Sequence, residues 1–315
     1  MSTSAENVKG SGGFASIFSR PPWVGLTAFI VILLFQGVGH TIMIVMEDVW
    51  PGEEYVYQSA FALGLAGFIM LFYGMRSEKE VFATWMGFWA GSFMWTGWVE
   101  FAFVWNANFL GVPDLMSLDI PGEIATKSEY LVMMSSIGVL GATLAYFLIN
   151  PETKCNMFLW IQRKAHLKVA KPTKGHKRNF AAITALETIY VVWFCYILLL
   201  FLYNEDIAGE NSPAAYIFFF LNTIWAAYLL QRLVRFWKVT TAIRYAIPTA
   251  IITWNTIELL GRWNVFVSFW EKPQEFWLEM TLFFVAIIIA AVVVVRTPAH
   301  RKAELSRQEH GEQIV

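Results

Sequence analysis

The sequence predicts an all-α polytopic integral membrane protein: eight transmembrane helices, built as two tandem parallel four-helix repeats, with both termini on the inner side. Three observations predict it. The chain of 315 residues is 57% hydrophobic, 17% aromatic and 15% charged, with a mean hydropathy of +0.50, well outside the range of a soluble globular domain. Its apolar stretches reach the roughly 20 helical residues that a hydrocarbon core requires. Acidic punctuation recurs at an offset of 158 residues: Glu47-Asp48 returns as Glu205-Asp206, and Glu100 before Trp105-Asn106 returns as Glu258 before Trp263-Asn264.

The eight stretches are 23–46, 56–75, 82–106, 129–149, 179–203, 214–232, 243–264 and 275–295. All are expected to be helices, because lipid offers the backbone no other hydrogen-bond partner. Residues 1–22 lack the short apolar core of a signal peptide and read as a retained cytosolic tail. The expected division is a first repeat over 23–149, a basic inner linker over 150–178, a second repeat over 179–296 and a cytosolic tail over 297–315.

Orientation follows from the cations. The tails and the 2–3, 4–5 and 6–7 connections hold 20 of the 23 Lys and Arg, whereas Asp48–Tyr55 and Asn204–Pro213 carry acids and no basic residue. By the positive-inside rule both termini are cytosolic, and the expected location is a bacterial inner (cytoplasmic) membrane. Four helices per repeat give the two halves one topology, related by a pseudo-twofold axis along the membrane normal. The offset falls to 146 at Glu129-Tyr130 against Glu275-Phe276, since the outer loop Gly111–Lys127 is longer in the first copy. A plain long loop is favoured over a flap there. In the linker, Met157 to Ile161 followed by Arg163, Lys164 and Lys168 is the pattern of a short helix lying on the membrane.

Polar groups inside such helices are costly, about 2.5–3.5 kcal/mol for a mid-helix charge on insertion scales, and therefore mark candidate sites. Counting helical rise from the outer ends, His40, Glu100, Glu258, Glu279 and Asn222 fall at comparable depth in the outer third of the membrane. If those faces converge, they line a polar chamber. Trp254, Glu258 and Arg262 are spaced to share one helix face, and the last two are placed to form an intrahelical ion pair. Val104 stands at the position matching Arg262, so Glu100 has no cation in its own helix and is the first candidate for a proton-exchanging group or ligand. Glu187 lies nearer the inner face, as an inner station of a proton path or a helix-partnered acid.

His40, Met43 and Glu47 share a face of helix 1 and form a weak soft-metal set, for which copper is the metal to test; a hydrogen-bonded histidine is the plainer reading. Many of the 15 tryptophans, including Trp50, Trp105, Trp160, Trp237, Trp263 and Trp270, lie near helix ends as interface anchors. Trp85, Trp89, Trp95 and Trp98 make helix 3 aromatic enough to lie beside a bound quinone, carotenoid or sterol-like lipid. Gly64, Gly67, Gly87, Gly91, Gly138 and Gly141 mark expected close helix contacts, and Pro248 is the expected helix interruption.

The chain has no Walker sequence, dinucleotide-binding fingerprint, Cys-x2-Cys pair or multi-histidine box, and Cys155 and Cys195 are placed too far apart to pair. The leading functional reading is a small-solute or cation permease, proton-coupled through Glu100 and Glu258. A non-catalytic membrane-embedded subunit of a larger respiratory, redox or monooxygenase-type complex is the alternative. An intramembrane enzyme using Glu100 and His40 as acid and base on a lipid-soluble substrate is the third. Expected partners are the lipid bilayer and, in the second reading, other membrane subunits; nucleic acid is not among them.

Overall fold

The computed structural model describes residues 20–49, 52–116, 124–153, 156–167, 178–270 and 272–296. Both expected tails beyond 20 and 296, Trp50, Cys155, Lys168 and the expected linker over 168–177 lie outside the described residues. The chain is nearly all helical: α1 (Trp23–Val49), α2 (Glu53–Arg76), α3 (Glu80–Met94), a π-helical turn (Trp95–Glu100), α4 (Phe101–Leu110), α5 (Ser128–Met134), α6 (Ile137–Ile149), α7 (Asn156–Lys164), α8 (Phe180–Tyr203), α9 (Pro213–Leu233), α10 (Val239–Arg262) and α11 (Trp277–Arg296). All eight apolar stretches read from the sequence fall on these helices. Among the described residues, five helical segments are long and apolar enough to cross a membrane: 23–47, 54–76, 128–149, 180–203 and 213–233.

Local chemistry explains the helix ends. Asn179 Oδ1 accepts from Ala182 N–H at the start of α8, and Ser212 Oγ accepts from Ala215 N–H ahead of Pro213 in α9. Each cap satisfies one of the backbone donors that a helix start leaves without a partner. α4 stops at Gly111, whose φ of +63° is the left-handed conformation that glycine adopts without strain. The loop beyond it folds into a two-stranded antiparallel ribbon, β1 (Leu115–Met116) with β2 (Ile124–Thr126), and Asp114 Oδ1 accepts from Ser128 N–H at 2.7 Å.

Pro248 does not interrupt its helix: α10 runs through it unbroken. Thr249 and Thr253 bond back to the carbonyls of Tyr245 and Thr249 in the turns after it, both at 2.7 Å. The breaks fall elsewhere. Ser135 and Ser136 divide α5 from α6, their hydroxyls bonded to the carbonyls of Val132 and Met133, with Trp193 Nε1 donating to Ser136 Oγ at 2.9 Å.

The main core is built around α1 and α10, with α3 and α8 against them; Ile32, Phe88, Ile243 and Ile247 are among its fully buried side chains. α1 lies along α10, and α3 lies along α8. α2 and α9 flank α3 and α10, α11 packs on α1, α5 and α6 pack on α8, and α3 meets α10. Gly91 permits the α3–α8 approach, because a Cβ there would lie 2.8 Å from the Ala185 carbonyl oxygen. The expected contacts at Gly138 and Gly141 are not made, since a Cβ at either meets nothing within 4 Å. Trp270, expected as an interface anchor, is instead buried against Trp254, with ring centroids 5.0 Å apart.

Candidate functional site: two acids around a tyrosine pair

Glu100 closes the π turn. Phe101 N–H bonds to Thr96 O, five residues back, where an α-helix would reach four. That extra residue rotates the following turn and directs Glu100 inward, leaving it 6% exposed. Its carboxyl lies within hydrogen-bonding reach of Tyr196 on α8, and His40 on α1 is in electrostatic range of it. Glu47 and Glu129 act on it electrostatically from the C-terminal end of α1 and the N-terminal end of α5. Tyr196 is also within hydrogen-bonding reach of Tyr130 on α5, their rings 6.1 Å apart. Trp95 covers Tyr196 from the other side at 6.3 Å.

Glu258 on α10 adds a second acid to the electrostatics of these tyrosines, without a hydrogen bond to them. It acts electrostatically on Tyr130, Tyr196 and Tyr203, and its Oε2 is buried with no hydrogen-bond partner. The intrahelical pair expected with Arg262 does not form. Arg262 Nη1 binds Glu210 Oε2 at 3.3 Å, and its guanidinium lies 3.9 Å from the Tyr203 ring centroid. Glu210 belongs to the α8–α9 connection, where its backbone carbonyl also accepts from Trp263 Nε1 at 2.9 Å. The physical reason is competition: Glu210, about a third exposed in the α8–α9 connection, meets the cation at the helix end, and the Tyr203 face adds a second attraction. Trp254, on the same face one turn earlier, stacks on His40 with centroids 5.9 Å apart. Buried polar atoms without partners are uncommon in native interiors. Trp254 Nε1, Trp270 Nε1 and Tyr203 Oη join Glu258 Oε2 in that condition.

Other candidates have different partners. Asn222 is buried between α9 and α10, donating to Ile252 O at 2.8 Å and Thr256 Oγ1 at 2.9 Å; it clamps two helices together. Glu187 is held by Arg244 in a bidentate pair, with Nε 3.1 Å from Oε2 and Nη2 on Oε1. Glu279 is exposed on α11. Met43 packs with Val56, Ala60 and Phe101, and Glu47 is exposed near the end of α1. Among the described residues, no group of three or more His, Cys, Asp or Glu is placed to hold a metal ion. Trp85, Trp89 and Trp95 pack against Phe35, Phe88 and Trp193, while Trp98 donates to Phe61 O at 3.1 Å. An apolar groove of about 410 Å³ lies between α1 and α11, lined by Thr41, Ile42, Val45, Met46, Pro273, Met280 and Phe284. Thr41 bonds to the Trp270 carbonyl behind it at 3.1 Å.

Tyr130, Tyr196, Tyr203, Glu210 and Arg244 are the site and pairing residues that sequence reasoning missed. Tyr196 and Tyr203 are seven residues apart on one helix face, and that spacing is the one signal available. Comparison with protein-family models, curated proteins and solved structures finds no match for this chain.

Proposed function

We propose that the chain is a small-solute or cation permease, proton-coupled, with an acidic site in the outer third of the membrane and Glu100 and Glu258 as its exchanging groups. One observation carries this reading: the two glutamates at matching positions of the expected repeats both act electrostatically on a single Tyr130–Tyr196 pair, and Glu258 Oε2 is buried with no partner of its own. A carboxyl inside the membrane is a functional group by default. Here two of them act on one tyrosine pair, Glu100 through Tyr196 directly and Glu258 through space, with His40 also in electrostatic range of Glu100.

The helix pairings support the eight-span, two-repeat architecture on which the reading rests. Exchanging α1 with α8, α2 with α9, α3–α4 with α10, and α5–α6 with α11 maps the α1–α10 contact onto α8–α3. It maps α2–α3 onto α9–α10, α1–α11 onto α8 with α5 and α6, and α3–α10 onto itself. A pseudo-twofold axis between α3 and α10 would produce these correspondences, although among the described residues the α8–α10, α2–α8 and α4–α5 contacts have no comparable counterpart under the exchange. The cation distribution supports the orientation with both termini cytosolic, in the reading of a bacterial inner membrane.

The test is reconstitution of the full chain in vesicles loaded with a pH-sensitive dye, followed by imposed gradients of sodium, potassium or methylammonium. Wild type should move internal pH with at least one cation, and Glu100→Gln should abolish the response while the protein still inserts. No cation-dependent pH change in wild type, or an unchanged response in the variant, overturns the reading. A non-catalytic membrane subunit of a larger complex is the second reading, favoured by the broad exposed aromatic face of α9 with Tyr216, Phe220, Trp225 and Tyr228. Native mass spectrometry of protein extracted gently from its own membrane would reveal stoichiometric foreign subunits in that case.

A further inference from the structure

α7 begins shortly after the end of the candidate span at 128–149, and a buried glutamine fixes its position. Gln162 is fully buried, and its Nε2 donates to Leu148 O and Asn150 O, both at 2.9 Å. The carbonyls at a helix C-terminus lack intrahelical donors, so this one side chain both caps α6 and ties α7 across its end. Thr153 Oγ1 bonds to Phe147 O at 2.7 Å, and Phe158 packs on Phe147 with ring centroids 6.0 Å apart. The opposite side of α7 presents Trp160, 60% exposed, together with exposed Arg163 and Lys164. Positions i, i+3 and i+4 share a face.

We infer that this Trp160–Arg163–Lys164 face is a binding site for anionic phospholipid headgroups. The charge is complementary and unopposed: among the described residues neither cation forms an ion pair, and the sequence has no Asp or Glu from 153 to 186. Where a helix leaves the hydrocarbon core, headgroup phosphates are the anions at highest local concentration. An exposed indole beside two cations suits that boundary, because its ring takes the apolar side and the cations take the phosphate.

The experiment is native mass spectrometry of the full chain in detergent, titrated with phosphatidylglycerol or phosphatidylcholine of matched acyl chains. Wild type should retain phosphatidylglycerol in preference to phosphatidylcholine. Arg163→Gln/Lys164→Gln should reduce that preference roughly tenfold, since each surface cation contributes measurably to anionic-lipid binding. Lys238→Gln is the control, an exposed cation already paired with Glu80, and should leave the preference unchanged. Equal retention of the two lipids by wild type, an unaltered preference in the double variant, or an equal loss in the control would each overturn the assignment. Both substituted side chains are exposed, so folding is not at stake, and a matched circular dichroism spectrum confirms it.

Discussion

Arg262 binds Glu210 across the α8–α9 connection at 3.3 Å and not Glu258, one turn before it on α10. The loop acid thus holds the cation at the helix end and leaves Glu258 Oε2 without a partner among buried atoms. Glu210→Gln is expected to free Arg262 to turn toward Glu258 and neutralise it. Both side chains of the existing pair are about a third exposed, so its loss should cost under about 1 kcal/mol and barely move the thermal midpoint. Cation-driven pH change in vesicles should fall markedly all the same. A variant with wild-type flux would show that Glu258 does not depend on the direction of Arg262.

Tyr196 partners Glu100 and Tyr130 and lies in electrostatic range of Glu258. Tyr196→Phe keeps the ring against Trp95 and Tyr130 and removes only the hydroxyl. If that hydroxyl bridges proton movement between Glu100 and Glu258, flux should drop by at least about a hundredfold, the lower end for loss of a positioned proton-transfer group. Thermal midpoint should change little, because ring packing is retained. Flux equal to wild type would assign the tyrosine to packing alone.

How legible this site was in the sequence varies residue by residue. Glu100 and Glu258 stood out because a carboxyl in an apolar helix is conspicuous, and their matched spacing to Trp-Asn pointed to one another. Asn222 and Glu187 stood out equally, yet they meet Thr256 and Arg244 in helix clamps. Polarity in a helix announces a need for a partner without saying whether protein or ligand supplies it. The π turn was invisible, because Trp95 to Glu100 reads as ordinary helix and the bulge depends on α2 pressing against Gly97. Helix positions were readable since apolar length alone requires them, whereas the Ser135–Ser136 break depends on Trp193 from another helix.

Arg244 and Glu187 join α10 to α8 through a bidentate pair, with side chains 12% and 22% exposed. Removing one partner of a largely buried pair strands the other charge, at a cost of about 3–5 kcal/mol. Arg244→Met should therefore lower the thermal midpoint sharply. Adding Glu187→Gln to it should recover most of the loss, because no unpaired charge then remains. Measuring both midpoints in the same detergent separates the pair from its context; a double variant as unstable as the single would place the cost in lost packing of the arginine stem instead.

Gly97 and Gly138 offer a paired test of how α2 shapes the acidic site. A Cβ at Gly97 would collide with the Ala60 carbonyl and the Gly64 backbone, while one at Gly138 meets open space. Gly138→Ala should be neutral or stabilising by up to about 1 kcal/mol, since alanine is the better helix former. Gly97→Ala must push α2 away from the π turn, with an overpacking cost of about 1–3 kcal/mol. Because Glu100 closes that same turn, the displacement should also re-aim its carboxyl. Flux through Gly97→Ala vesicles should therefore fall further than the loss of folded protein explains, with flux normalised to the folded fraction as the deciding quantity. If normalised flux matches wild type, the π turn is a packing accommodation, and Glu100 holds its place through Tyr196 and His40 alone.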